Sequence, residues 1–319
     1  MKVRREIFDT YWKLAAERQE IFFKKIQGKL PPYTVDPILQ EYKFCNAYRA
    51  SDRVSQFLIK EVIYKKPTLE ENLLFRIFLF RLFNKIETWK SLENKLGEIN
   101  LSGFNTTKYS QALSAIKKES GTIYGNAFIL CANKVYGFDQ KQDNHLALLK
   151  HVFLKSKIAD QLTSAPSLEK LFYSLKSLPL IGNFMAYQLA IDFNYSNLFY
   201  FDENDFTVAG PGAIRGIKKC FINYPENFSS IINYMINNQD KEFARLGIKF
   251  NNLWGRPLHA IDCQGLFCEL DKYSRVKVPS LISNRVKIKS RYTSSQDAIH
   301  HFYPPKWGIN KFIKQVSLF

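Results

Sequence analysis

The sequence predicts a mostly α protein, as one domain or two closely packed lobes, and three observations carry the helical reading. Long stretches place apolar residues at helical spacing, β-type runs are short and few, and Leu178-Pro179-Leu180-Ile181-Gly182 writes a tight reversal between two helical runs. With 319 residues and 46% hydrophobic content the chain can bury a large core.

Taken in order, Ile7, Phe8, Tyr11, Trp12, Leu14, Ala15, Ile21 and Phe22 form one stripe of a long amphipathic helix over 4–26. Pro31, Pro32 and Pro37 then break it, because proline lacks the N–H and clashes inside a helix. Helical spacing resumes over 37–64. After Pro67, Thr68-Leu69-Glu70-Glu71 suits a capped start for a helix over 72–92 that is apolar on most sides, as expected of a buried spine. Helices follow over 109–118, 127–135, 145–162 and 167–177. In the reversal, Pro179 fixes its own φ, Gly182 accepts a left-handed turn, and Phe184 to Ile191 restart a helix whose first N–H groups are unpaired. Leu198 to Phe201 and Arg285 to Lys289 are β-like but too few for a central sheet. Three segments are expected: 1–66 packing on the core, 67–225 as the core with the hairpin, and 226–319 as a basic segment completing the pocket.

Forty-six basic against 29 acidic residues give a formal charge of +17, spread along the chain. An extended polyanion is the expected partner, and duplex DNA before a membrane surface. No apolar run reaches the ~18 residues that span a bilayer, and the N-terminus lacks a signal-peptide core, so a cytoplasmic location and no membrane partner are expected. The five cysteines, Cys45, Cys131, Cys220, Cys263 and Cys268, are odd in number and scattered, which fits reduced thiols. No ligand spacing calls for a metal, no cofactor is expected, and no G-x-x-x-x-G-K-[ST] phosphate loop occurs.

Several residues are candidates for chemistry. The hairpin residues Pro179, Ile181, Gly182 and Asn183 can present backbone N–H groups to a DNA phosphate, and Arg215, Lys218, Lys219, Lys287 and Lys289 supply charge for the backbone. Asn46, Arg49, Asp52 and Arg53 recur at 3–4 residue spacing and read as one helix face, either a solvated surface or a pocket wall where Arg49 and Arg53 act as forks. Asp262 and Gln264 are candidates for base recognition, whereas Asp271 and Lys272 read as structural ion pairing. Asp202 and Asp205 are candidate catalytic carboxylates, and helix capping is the alternative role for Asp202.

Two resemblances extend this reading. In helix-hairpin-helix DNA glycosylases an L-P-G-[IV]-G hairpin precedes a catalytic Asp, and the gap of 24 from Leu178 to Asp202 is similar to that family's spacing. Leu180 stands where that pattern has its first Gly, and no Lys follows Gly182, so the resemblance implies hydrolysis without a lyase step. The strings Tyr11-Trp12 with Glu17-Arg18-Gln19, Asp36-Pro37-Ile38-Leu39, Phe44 to Val54, Gly210-Pro211-Gly212-Ala213 and Ile261 to Tyr273 together resemble the helical domain of phage 5-hydroxymethyldeoxyuridine DNA kinases and the related α-glutamyl/putrescinyl-thymine pyrophosphorylases. The resemblance implies a two-lobed, glycosylase-like helical fold acting on hypermodified pyrimidines, with bacterial members in anti-phage defence. The expectation is thus a monomeric enzyme that flips a modified pyrimidine out of duplex DNA and cleaves its N-glycosidic bond with Asp202 or Asp205. Transfer to a modified thymine with loss of pyrophosphate, and non-catalytic reading of modified DNA, are the alternatives.

Overall fold

The computed structural model describes residues 1–127, 133–281, 284–288, 290–293 and 300–313. In chain order the helices are α1 (Arg5–Ile26), α2 (Pro37–Glu41), α3 (Arg53–Phe57), α4 (Glu70–Phe83), α5 (Ile86–Leu96), α6 (Thr106–Ser120) and α7 (Lys141–Lys150). They continue with α8 (Ile158–Thr163), α9 (Leu168–Lys176), α10 (Asn183–Asn194), α11 (Pro211–Cys220), α12 (Phe228–Arg245) and α13 (Ala260–Lys277). Two short strands, β1 (Lys2–Val3) and β2 (Phe221–Asn223), pair antiparallel. The mostly α expectation is met; Leu198 to Phe201 form no strand, and the pair that does form is too short for a periodic signal, its strands being two and three residues long.

The chain divides into two compact units, one of Met1–Arg53 with Phe206–Phe319, the other Val54–Asp205. The sequence-based boundaries fell at 66/67 and 225/226. The terminal segments share one unit because α1 packs on α13.

In the first unit α13 is the axis, against which α1, α2, α11 and α12 all pack. Tyr11 and Trp12 of α1 are fully buried, the Tyr11 ring lies 4.6 Å from Phe267, and the Tyr11 hydroxyl donates to the Cys263 carbonyl at 3.1 Å. Helices α11 and α13 meet backbone to backbone: a Cβ added at Gly216 would fall 2.0 Å from the Phe267 carbonyl oxygen, and one at Gly212 would fall 2.6 Å from Cys268 Sγ. Pairing of β1 with β2 brings Arg4 to the end of α11, where its guanidinium donates to the Lys218 and Lys219 carbonyls at 2.8 and 2.9 Å and satisfies orphan acceptors of the last turn.

In the second unit the buried spine expected over 72–92 is two helices: α4 has Leu73 through Phe83 all inside, Asn84 ends it in the left-handed region, and α5 starts at Ile86. Arg76 and Arg81 lie within this apolar helix, so each must find acceptors. Arg76 donates to the carbonyls of Glu61, Val62 and Ile99. Arg81 makes a two-pronged pair with Asp192 of α10, at 2.5 and 2.9 Å, and donates to Asn84 Oδ1 at 2.6 Å. The 145–162 stretch is interrupted: α7 passes into a π-helical turn over His151–Lys155 before α8 begins. Of the helix expected over 127–135, residues 128–132 lie outside the described residues, and 133–135 are not helical.

Helices α9 and α10 form the predicted reversal, with Ser167 capping the first by accepting from the Lys170 N–H. The left-handed residue is Leu180, at φ +68°, and Gly182 is extended at φ −86°, the residue preceding α10. A leucine in that region costs about 1–2 kcal/mol. The turn still needs positive φ where the hairpin pattern has its first Gly, so Leu180 adopts it.

Candidate nucleic-acid interface

Four of the sequence strings that seemed unrelated along the chain converge on α13. Tyr11 reaches Cys263, and Asp36 accepts from the Tyr273 hydroxyl at 2.6 Å while capping α2 through the N–H groups of Ile38 and Leu39. The 44–53 segment lies along the first three turns of α13: the Arg49 N–H donates to Asp262 Oδ1 at 2.8 Å and the Cys45 N–H to Glu269 Oε2 at 3.0 Å. Gly212 touches Cys268. Separations of more than 200 residues make this convergence invisible to any local pattern.

The 44–53 segment is not the helix face expected from its spacing. Arg49–Ser51 form a single 3-10 turn, Asp52 is extended at ψ 143°, and α3 starts only at Arg53. The reason is side-chain competition for the backbone: Asp52 Oδ1 accepts from the Asn46 N–H at 2.8 Å, and Asn46 Nδ2 donates to the Ser51 carbonyl at 2.8 Å. Arg18 of α1 completes the loop, donating to the Cys45 and Phe44 carbonyls and to Asn46 Oδ1. Asn46, Arg49 and Asp262 are therefore brought together, while Arg53, at the start of α3, is exposed.

Asp262 is 4% exposed. It accepts from the Arg49 and His259 N–H groups, and burial nonetheless raises its carboxyl to about 6, against the lowering influence of His259 and Arg256. Burial also raises Asp52 to about 6. The buried Tyr303 hydroxyl stands beside both, paired with Ser51 Oγ at 2.8 Å, so the aromatic segment around Tyr303 packs on this unit. Both carboxyls take up protons on folding between the ordinary carboxylate range and pH 6. Their contribution to stability therefore grows as the pH falls from 7 toward 5. Urea unfolding across that window is expected to show the rise, and Asp262→Asn is expected to reduce it to the share of Asp52.

On the opposite face of α13, Asp271 is fully buried and takes three cations: Arg215 at 2.9 Å, Lys219 at 3.0 Å and Arg275 at 2.6 Å. Burial would raise its carboxyl, but the hydrogen bonds from Arg275, Arg215 and Lys219 hold it below the ordinary value. Structural ion pairing of Asp271 is as expected, and Lys272 pairs with Glu269 at 2.7 Å. Lys219 was expected on DNA, yet it is 5% exposed, with its ammonium on Asp271, the Asp271 carbonyl and Ser274 Oγ. Arg215 commits Nε to Asp271 and stays partly open, while Lys218 and Lys287 are exposed. Lys289 lies outside the described residues. Gln264 is 3% exposed, and its Nε2 has no hydrogen-bond partner.

In the second unit, Gly182 and Asn183 are exposed, Pro179 is half-buried, and Ile181 is packed inside, so the hairpin offers its backbone and not the Ile181 side chain. Asp202 and Asp205 are both exposed in an irregular stretch. Asp202 Oδ1 accepts from the Asn204 N–H at 2.8 Å, an Asx turn, so Asp202 caps a turn and not a helix. Among the described residues no helix is long and apolar enough to cross a membrane.

Residues 5–283 match the family described as the helical domain of 5-hmdU DNA kinase. The chain belongs to that family. A curated relative, the 5-hmdU DNA kinase of Bacillus phage SP10, is 27% identical over 286 residues, which is 84% of this chain and 45% of the relative. This 5-hmdU kinase-type helical domain thus spans about half the length of the relative it matches. No solved structure matches it at a significant level. The comparisons do not carry the kinship to glycosylases inferred from the hairpin spacing. They also overturn the expected enzyme type: the relative is named a DNA kinase, a phosphotransferase, and neither a glycosylase nor a transferase that displaces pyrophosphate.

Proposed function

We propose that this helical domain engages DNA carrying a 5-hydroxymethylated pyrimidine and serves as the substrate-side module of phosphoryl transfer to that base. The observation that carries the reading is the family match over 5–283 together with the convergence of its strings on α13. The formal charge of +17 fits a polyanionic partner, and the sequence holds no phosphate loop of the G-x-x-x-x-G-K-[ST] type. Phosphoryl transfer needs a positioned nucleophile and a cradle for the donor phosphates. Base and sugar-phosphate contacts are the share this chain is equipped to supply.

In this reading the 44–53 segment and the first turns of α13 face the base, with Asn46, Arg49 and Asp262 as the residues nearest to reading it. On the first unit the backbone contacts come from Arg53, Arg215, Lys218 and Lys287. No chemical step is assigned to Asp202 or Asp205. Hydrogen exchange of the chain on two matched duplexes, one with thymine and one with 5-hydroxymethyluracil, tests the placement. Extra protection over 44–52 and the first turns of α13 is expected with the hydroxymethylated duplex. Identical protection from both duplexes, or a difference confined to other elements, would overturn it.

A further inference from the structure

Beyond base reading, the geometry points to an oxyanion site for a phosphate group at the start of α11, built from the Gly212 and Ala213 N–H groups, the Arg215 guanidinium and the Gln264 amide.

Helix α11 opens with Gly210 as its preceding residue and Pro211 at its first position, and its first intrahelical donor is the Ile214 N–H, bonded to the Gly210 carbonyl. The N–H groups of Gly212 and Ala213 therefore have no helical acceptor, and the helix dipole adds positive potential there. Side chains on a helix lean toward its N-terminus, and Arg215 does so: its Nη2 lies 3.7 Å from where a Gly212 Cβ would stand. Arg215 Nε is held by Asp271 at 2.9 Å, which fixes the guanidinium plane, while its two terminal amino groups have no acceptor among the described residues. Around Asp271 three cations face one carboxylate, an excess of two positive charges in a mostly buried setting.

Gln264 is the independent pointer to a ligand. Helices α11 and α13 run in parallel register, since Gly212 meets Cys268 and Lys219 meets Asp271 and Ser274. Gln264 is one turn before Cys268 on the same face, so its side chain, leaning back along α13, is aimed at the segment that leads into α11. It is 3% exposed and its Nε2 is buried without a partner, an arrangement that costs free energy unless something accepts from it. The donors gathered here call for an acceptor-only ligand, which a phosphate is. Gly265, the next residue, leaves open space: a Cβ there would meet nothing within 4 Å.

Calorimetric titration of the whole chain and of Arg215→Gln and Gln264→Met, with inorganic pyrophosphate, ATP and an unmodified thymine duplex as separate probes, tests the site. The duplex is thymine-based so that the result does not depend on how the base is read. Each substitution is expected to weaken one of the phosphate probes about tenfold or more, as loss of a hydrogen bond to a charged group does. If the phosphate comes from the DNA backbone, duplex affinity falls and Arg215→Gln lowers its salt slope by about one contact. If it comes from a nucleotide, ATP or pyrophosphate binding falls and duplex affinity holds. Because the Gln264 amide has no partner to lose, Gln264→Met is expected to keep or raise the melting temperature, so it reports binding even if Arg215→Gln unfolds. Unchanged affinity of a folded Gln264→Met for pyrophosphate, ATP and duplex alike would overturn the proposal.

Discussion

Arg81→Ala is expected to destabilise the Val54–Asp205 unit by about 3–5 kcal/mol, measured as a fall in the urea midpoint at constant slope. The side chains of Arg81 and Asp192 are 1% and 0% exposed, so removing the guanidinium takes from a buried carboxylate its two-pronged cationic partner. Asp192→Ala is expected to cost a similar amount, because it strands a cation that cannot shed its proton. Replacing both by apolar residues of similar size, Arg81→Met with Asp192→Leu, is expected to recover most of the loss. A double variant as unstable as the singles would show that packing around α4 and α10, and not charge compensation, dominates.

The second large effect lies at the other charge cluster. Asp271→Ala leaves Arg215, Lys219 and Arg275 facing one another without their shared carboxylate, and a loss of about 3–5 kcal/mol is expected. The sign of the pH dependence follows from the depressed carboxyl of Asp271. Its contribution is fully present above the ordinary carboxylate range and is lost as the pH falls through its lowered folded value. Wild-type protein is therefore expected to lose this increment only in acid, and Asp271→Ala to lack it at neutral pH already. Equal midpoints for the two proteins at pH 7 would contradict the assignment.

How much of this was legible beforehand depends on the range of the interaction. Helix α1 and the burial of the spine were legible because apolar spacing is local, but the break at Asn84 that splits the expected 72–92 helix was not. The 44–53 segment read wrongly because 3–4 residue spacing of Asn46, Arg49, Asp52 and Arg53 is equally consistent with a loop whose polar side chains turn back on the backbone. The hairpin was visible, but its strained residue was not, since leucine is an unexpected occupant of positive φ. At the candidate site, Asp262 and Gln264 stood out in the sequence as polar residues of one helix, but the groups around them are distant in sequence. Tyr48 was missed: fully buried, it donates to the Arg256 carbonyl at 2.6 Å and accepts from the Leu253 N–H, fixing the loop before α13. Lys219 was misjudged because a basic residue after a turn looks the same whether it meets a phosphate or an internal carboxylate.

The functional account turns on one comparison, the dissociation constants of this chain for two duplexes identical except that one carries 5-hydroxymethyluracil where the other carries thymine, at one fixed salt concentration. A hydroxyl that finds its partners in a polar pocket is worth about 1–3 kcal/mol when the alternative leaves those partners unpaired, so binding about tenfold or more tighter to the hydroxymethylated duplex is expected. Equal constants for the two duplexes would show that the chain holds DNA by charge alone, and would contradict its assignment as the module that engages the modified base.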